Sequence, residues 1–203
     1  VNASYNTLGA GGASTAASEL SGHPDDKWGG SVMAALQIKN IPTGPGDDLK
    51  IDVSYAKGNT KNVISTSGGS PSFAMFGGTD RIGAYQSIGF GQTSDAVFLP
   101  GFLTGGATGD IKLTEAWGVR GAFNHNWDPF WSTSFWGSYA GVRYNGDAFD
   151  ILSAKGQFCA SFNFGKTRSA DYSCNPDFNI AQVGMVTRWT PVKNLTFSGE
   201  VGA

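Results

Sequence analysis

A chain of 203 residues with 15% charged and 13% aromatic side chains, 30 glycines and a formal net charge of −2 has no basic block with which to neutralise a nucleic-acid backbone, so nucleic acid is not an expected partner. The longest apolar runs, such as VMAAL at 32–36, fall far short of the ~20 residues of a transmembrane helix, so a membrane would have to be crossed by strands closed into a barrel. Charge is sparse against ~25% in typical soluble domains, and Ser, Thr, Asn and Gly carry the polarity, which suits strands with one apolar and one polar face.

Residues 1–26, rich in Gly, Ala, Ser and Thr, read as a loop. The chain starts at Val1 without a charged-then-apolar leader, as expected of a mature or internal piece. From Trp28 the pattern changes. Gly30, Val32, Ala34, Leu36 and Ile38 alternate with Ser31, Met33, Ala35, Gln37 and Lys39, the period of two that marks a strand with unlike faces. IPTGPGD at 41–47 reads as a turn. After it Leu49, Ile51, Val53 and Tyr55 alternate with Lys50, Asp52, Ser54 and Ala56, completing a hairpin over 27–57.

A second hairpin is predicted over 112–144. Trp117, Val119, Gly121, Phe123, His125 and Trp127 alternate with Gly118, Arg120, Ala122, Asn124 and Asn126. Asp128-Pro129 forms the turn, since Pro cannot donate to a ladder. The return strand has two neighbouring aromatics, Phe135 and Trp136, and its facing is set by charge. Placing Trp136, Ala140, Val142 and Tyr144 on the apolar side sends Arg143 to the wet side and avoids the ~2–4 kcal/mol of a lipid-facing Arg near the midplane. The third hairpin, over 178–202, runs from Phe178 to Trp189, turns at TPVKN (190–194) and returns as Leu195–Val201. Ala181, Val183, Met185, Thr187, Trp189, Leu195, Phe197 and Val201 form its apolar face.

Short turns thus alternate with two long segments, 58–111 and 145–177, read as external loops. Unstructured loops beyond ~15 residues are uncommon in compact soluble domains, whereas short turns on one rim and long loops on the other are the rule in outer-membrane barrels. Within the first long segment SFAMF (72–76) and DAVFL (95–99) read as extra strand that could pair locally. Trp127, Phe130, Trp131 and Trp189 gather at the short-turn ends, where barrels carry aromatic girdles. The expected fold class is all-β, a transmembrane antiparallel β-barrel of which six clear strands are present. The alternative is a soluble secreted β-sandwich or adhesin-like binding domain.

Chemistry-bearing motifs are few. Cys159 and Cys174, 14 residues apart without CxxC or a nearby His, make a poor metal site and are expected to form a disulfide. Closing a loop of about 15 residues would contribute roughly 3 kcal/mol and implies an oxidising compartment. His125 lacks an evident catalytic partner, and Asp47-Asp48 are expected to be solvated turn charges without EF-hand spacing. No metal, cofactor or catalytic residue is predicted, and an outer-membrane enzyme would need a Ser-His pair at a rim.

Two long segments carry a resemblance. AWGVRGAFNHNWDPFWSTSFWGSYAGVRYNGDA (116–148) and CNPDFNIAQVGMVTRWTPVKNLTFSGEV (174–201), with SPSFAMFGGT (70–79) and GAYQS (83–87), closely resemble porins of alphaproteobacteria such as Bradyrhizobium, Rhodopseudomonas and Brucella relatives. The resemblance implies a sixteen-stranded outer-membrane barrel, usually a homotrimer among bacterial outer-membrane lipid, through which small hydrophilic solutes and ions diffuse passively. The chain ends at Gly202-Ala203 without the aromatic-ended last strand of that family, and it lacks the half that carries the constriction loop. A piece of a longer chain is therefore expected. The charged pore-lining candidates are Lys39, Lys50, Asp52, Arg120, Arg143, Arg188 and Glu200, five basic and two acidic, a wall expected to favour anions.

Overall fold

The computed structural model describes residues 24–64, 72–77, 87–99, 109–147, 150, 152–157 and 175–203. Its strands are β1 (Gly30–Lys39), β2 (Asp48–Lys57), β3 (Ser72–Gly77), β4 (Ser87–Gln92), β5 (Ala96–Leu99), β6 (Asp110–Leu113), β7 (Glu115–Asn126), β8 (Trp131–Arg143), β9 (Phe178–Val192) and β10 (Leu195–Gly202). The fold is all-β. Six strands form one sheet in the order β1-β2-β7-β8-β9-β10, and β3-β4 and β5-β6 are separate two-stranded sheets. Strands adjacent in the large sheet follow one another in sequence, apart from the step from β2 to β7. That is the meander the alternating hairpins predict, since short turns force antiparallel neighbours.

The first long segment does contain extra strands, and each pairs locally. SFAMF lies in β3 and pairs with β4, Ser72 opposite Gln92 and Gly77 opposite Ser87. DAVFL supplies β5, which pairs with β6, Ala96 opposite Leu113 and Leu99 opposite Asp110. Each strand takes the nearest later strand along the chain, which lowers the loop-closure cost. The third turn is also tighter than predicted. β9 continues through Thr190, Pro191 and Val192, Leu195 pairs with Val192, and a bulge follows before Phe197 pairs with Trp189. Pro191 is tolerated because it sits at the strand end beside that bulge, and Asn194 takes the left-handed φ of 70° that the turn needs.

The chain divides into two compact units, one of Val1–Ser31, Ala56–Ala116 and Val142–Phe178, the other of Val32–Tyr55, Trp117–Gly141 and Asn179–Ala203. The first has a small core of Ala116, Val142, Tyr144 and Ala154, with Val63, Ile64, Val97 and Phe178 packed against it. Asp95 organises its polar part. One carboxylate oxygen accepts from the Thr60 backbone N–H (2.7 Å) and hydroxyl (2.8 Å), and the Asp95 carbonyl accepts from Thr114 N (2.9 Å). Tyr144 is held at both ends: its N–H donates to Asp177 Oδ1 (2.8 Å) and its hydroxyl lies 3.3 Å from Ser94 Oγ. Burial pushes that hydroxyl up to about 12.

The second unit is almost entirely sheet. Val32, Leu36, Val53, Val183, Phe197 and Val201 are each at least half exposed, and Ile51, Tyr55, Val119, Phe135, Tyr139 and Met185 are exposed as well. Soluble monomers rarely show apolar patches beyond a few hundred Å². Here the apolar positions of all six strands are left uncovered on one side.

Candidate functional site

Opposite that apolar side the same strands present a charged surface. Arg120 on β7 donates through Nε to Asp52 Oδ1 on β2 (2.8 Å), and its Nη2 lies 3.8 Å from Met33 Sδ on β1. Nearer the turn, Gln37 Nε2 donates to Asp48 Oδ2 (2.6 Å) and Lys50 Nζ sits 3.1 Å from the same oxygen. Lys39 follows the Met33 and Gln37 parity at the end of β1. On the other half, Arg188 Nη1 donates to Ser134 Oγ (2.8 Å), and Ser134 in turn donates to Asn124 Oδ1 (2.8 Å). Ser198 is paired with Arg188 and Glu200 with Val186, so both β10 residues share the Arg188 side. Lys39, Lys50, Asp52, Arg120, Arg188 and Glu200 therefore occupy one face.

Arg143 does not join them, and the predicted facing of β8 is reversed. Ser134 touches Asn124 and Arg188 on the charged side, whereas Tyr139 packs its ring 5.4 Å from Trp117 on the apolar side. Odd positions of β8 are thus apolar-facing, and Arg143 follows their parity. Its Nη1 donates to the carbonyls of Val142 (2.8 Å) and Phe178 (2.9 Å). Trp136, Val142 and Tyr144, read as apolar-facing, point the other way. Val142 and Tyr144 are apolar because side chains of the long segments bury them. Ser132, Ser134 and Ser138 carried the correct signal, all at even positions.

Trp136 is the side chain on this face that alternation places wrongly. It lies on the charged side over a cross-strand glycine pair, Gly184 opposite Gly202. A Cβ on Gly184 would lie 2.5 Å from Trp136 Cζ2, and one on Gly202 would lie 3.2 Å from the same atom. At position 184 only glycine leaves room for the indole, and at 202 a larger residue would crowd it. An open cavity of about 400 Å³ beside it is lined by Lys50, Asp52, Arg120, Trp136, Ser138 and Gln182, among others.

At the short-turn ends the predicted aromatics assemble on the apolar side. Trp131 stacks on Trp189 (5.7 Å between centroids, 18° between planes), and Trp189 on Phe197 (5.7 Å, 28°). Phe197 extends this ladder across β8, β9 and β10, a role its plain apolar parity did not announce. Trp127 and Phe130 are exposed beside it. Trp127 donates through Nε1 to Thr133 Oγ1 (2.9 Å) and meets the His125 ring edge-on at 4.3 Å.

Asp47 corrects another expectation, because it is fully buried rather than solvated. Its carboxylate accepts from Thr43 Oγ1 (2.6 Å), from Asn126 N (2.9 Å) and from His125 Nδ1 (2.7 Å). The hydrogen bond from Thr43, then those from Asn126 and His125, hold it down at about 2 against desolvation. An ionised acceptor requires that His125 carry its proton on Nδ1. The turn between β1 and β2 is thereby pinned to the end of β7.

Cys159 and Cys174 lie outside the described residues. Among the described residues no three His, Cys, Asp or Glu side chains converge as a metal cage would require, and no helix is long and apolar enough to cross a membrane. The family described as "Porin subfamily" matches the chain over residues 4–202. No curated protein and no solved structure matches it.

Proposed function

The chain belongs to the porin family, and from that premise we propose that it walls a water-filled channel of the bacterial outer membrane through which small hydrophilic solutes and ions diffuse passively. The observation that carries the reading is the two-faced sheet. Val32, Val53, Val119, Phe135 and Val183 are exposed on one side, and the Arg120–Asp52 pair and the Arg188–Ser134–Asn124 chain occupy the other. Lipid on the first side and water on the second satisfies both, and a closed antiparallel barrel satisfies the backbone. The Trp131–Trp189–Phe197 ladder fits the membrane–water boundary, where amphipathic rings are favoured. A homotrimer and a Cys159–Cys174 disulfide complete the proposal.

Passive conduction needs no catalytic group. The wall acts through its charges: Lys39, Lys50, Arg120 and Arg188 outnumber Asp48, Asp52 and Glu200 on the charged side, so the local potential leans toward anions. The soluble β-sandwich alternative would need a second sheet over the apolar side. In planar bilayers the full chain should give stepwise ion currents, and Arg120→Gln with Arg188→Gln should move the reversal potential in a salt gradient toward cation preference. Absence of current steps refutes the channel, and an unmoved reversal potential refutes the role of the two arginines.

A further inference from the structure

We infer that Trp136 is the stacking platform of a solute subsite on the charged side of the sheet, and that its ligand is a pyranose sugar. This rests on the channel reading for its access to solute, and the observations behind it are separate from those that carry that reading. Trp136 breaks the polar pattern of its face, whose other β8 positions include Ser132, Ser134 and Ser138. The ring sits against two glycines that face each other in register, Gly184 and Gly202: a side chain on Gly184 would collide with it, and one on Gly202 would press tightly on it. Its Nε1 is buried and has no hydrogen-bond partner among the described residues. The indole is thus placed by the room these glycines leave, and no hydrogen bond of Nε1 among the described residues accounts for its position.

The surroundings specify the ligand class. The cavity beside the ring, about 400 Å³, falls within the ~300–1,000 Å³ of small-molecule sites. Its polar groups combine donors and acceptors: the Arg120–Asp52 pair at 2.8 Å, the Gln182 amide and the Ser138 hydroxyl. A simple anion would call for donors alone, and an apolar solute for neither. A ring with an apolar face and hydroxyls around its rim uses both the aromatic surface and the mixed edge. Its polarised C–H groups are attracted to the negative face of the indole, and its vicinal hydroxyls match a fork that both donates and accepts.

The test uses the purified full chain with three probes: methyl β-glucoside, mannitol as an open-chain polyol without a ring face, and benzoate as a planar anion. Binding is followed by saturation-transfer NMR in detergent, and block of the ion current in planar bilayers. The expected result is binding and block by the glucoside and not by mannitol, weakened about two- to tenfold by Trp136→Leu, the range for loss of one aromatic contact, and less by Trp136→Phe. If Trp136→Leu does not refold, Gln182→Ala should weaken glucoside binding several-fold. No glucoside binding, equal response to mannitol, preference for benzoate, or affinity untouched by these variants overturns the inference. Ion current without glucoside binding removes the platform and leaves the channel. Binding without current removes the channel and leaves the platform.

Discussion

Asp47 shows how a single buried carboxylate can hold a turn. Thr43 is local to it, but His125 and Asn126 arrive from 78 and 79 residues further along the chain, so no reading of the turn sequence alone would find them. The ionised form is the one these donors stabilise. Its folded-state value of about 2 lies below the ordinary ~3.9 of an unfolded Asp. The contribution is therefore complete above about pH 4 and is lost as pH falls through about 2. We predict that Asp47→Asn lowers the denaturation midpoint at pH 7, and that the gap from the parent protein closes between pH 4 and pH 2. A gap that persisted at pH 2 would show that charge is not what the donors recognise.

At the scale of the strand, alternation was readable wherever the two faces differ in kind. β7 is the clear case, with Trp117, Val119 and Phe123 against Arg120, Asn124 and Asn126. β8 misled because its even positions are polar in the first half and apolar in the second, where Val142 and Tyr144 join the core of the other unit. Avoiding a lipid-facing Arg143 then outweighed the serines. In the first long segment the local pairing of SFAMF and DAVFL was legible, but their partner strands β4 and β6 were not, since nothing in either stretch distinguishes one edge from another. The faces themselves are testable. Val119→Arg should cost ~2–4 kcal/mol in refolding from urea into lipid vesicles, whereas Ala122→Arg, on the charged side, should cost well under that. Comparable penalties would mean that both sides meet the same medium. Trp189 holds two stacked neighbours, Trp131 and Phe197. With each aromatic pair worth ~0.5–1.5 kcal/mol beyond burial, Trp189→Ala should cost about 1–3 kcal/mol in the same assay.

For the whole molecule, the sheet is stable only where its two sides meet different surroundings. In water alone the row of exposed valines, leucines and aromatics across all six strands would drive association. In hydrocarbon alone Arg120, Arg188 and their partners would be stranded. The most direct measurement places a nitroxide at each of positions 119–124 in turn, in protein whose Cys159 and Cys174 are replaced by Ser, and reconstitutes each variant in lipid vesicles. Collision with dissolved oxygen, which concentrates in lipid, is compared with collision with a polar nickel chelate. Positions 119, 121 and 123 should favour oxygen, and 120, 122 and 124 the chelate. Chelate access at every position, or no alternation between the two sets, would contradict the account.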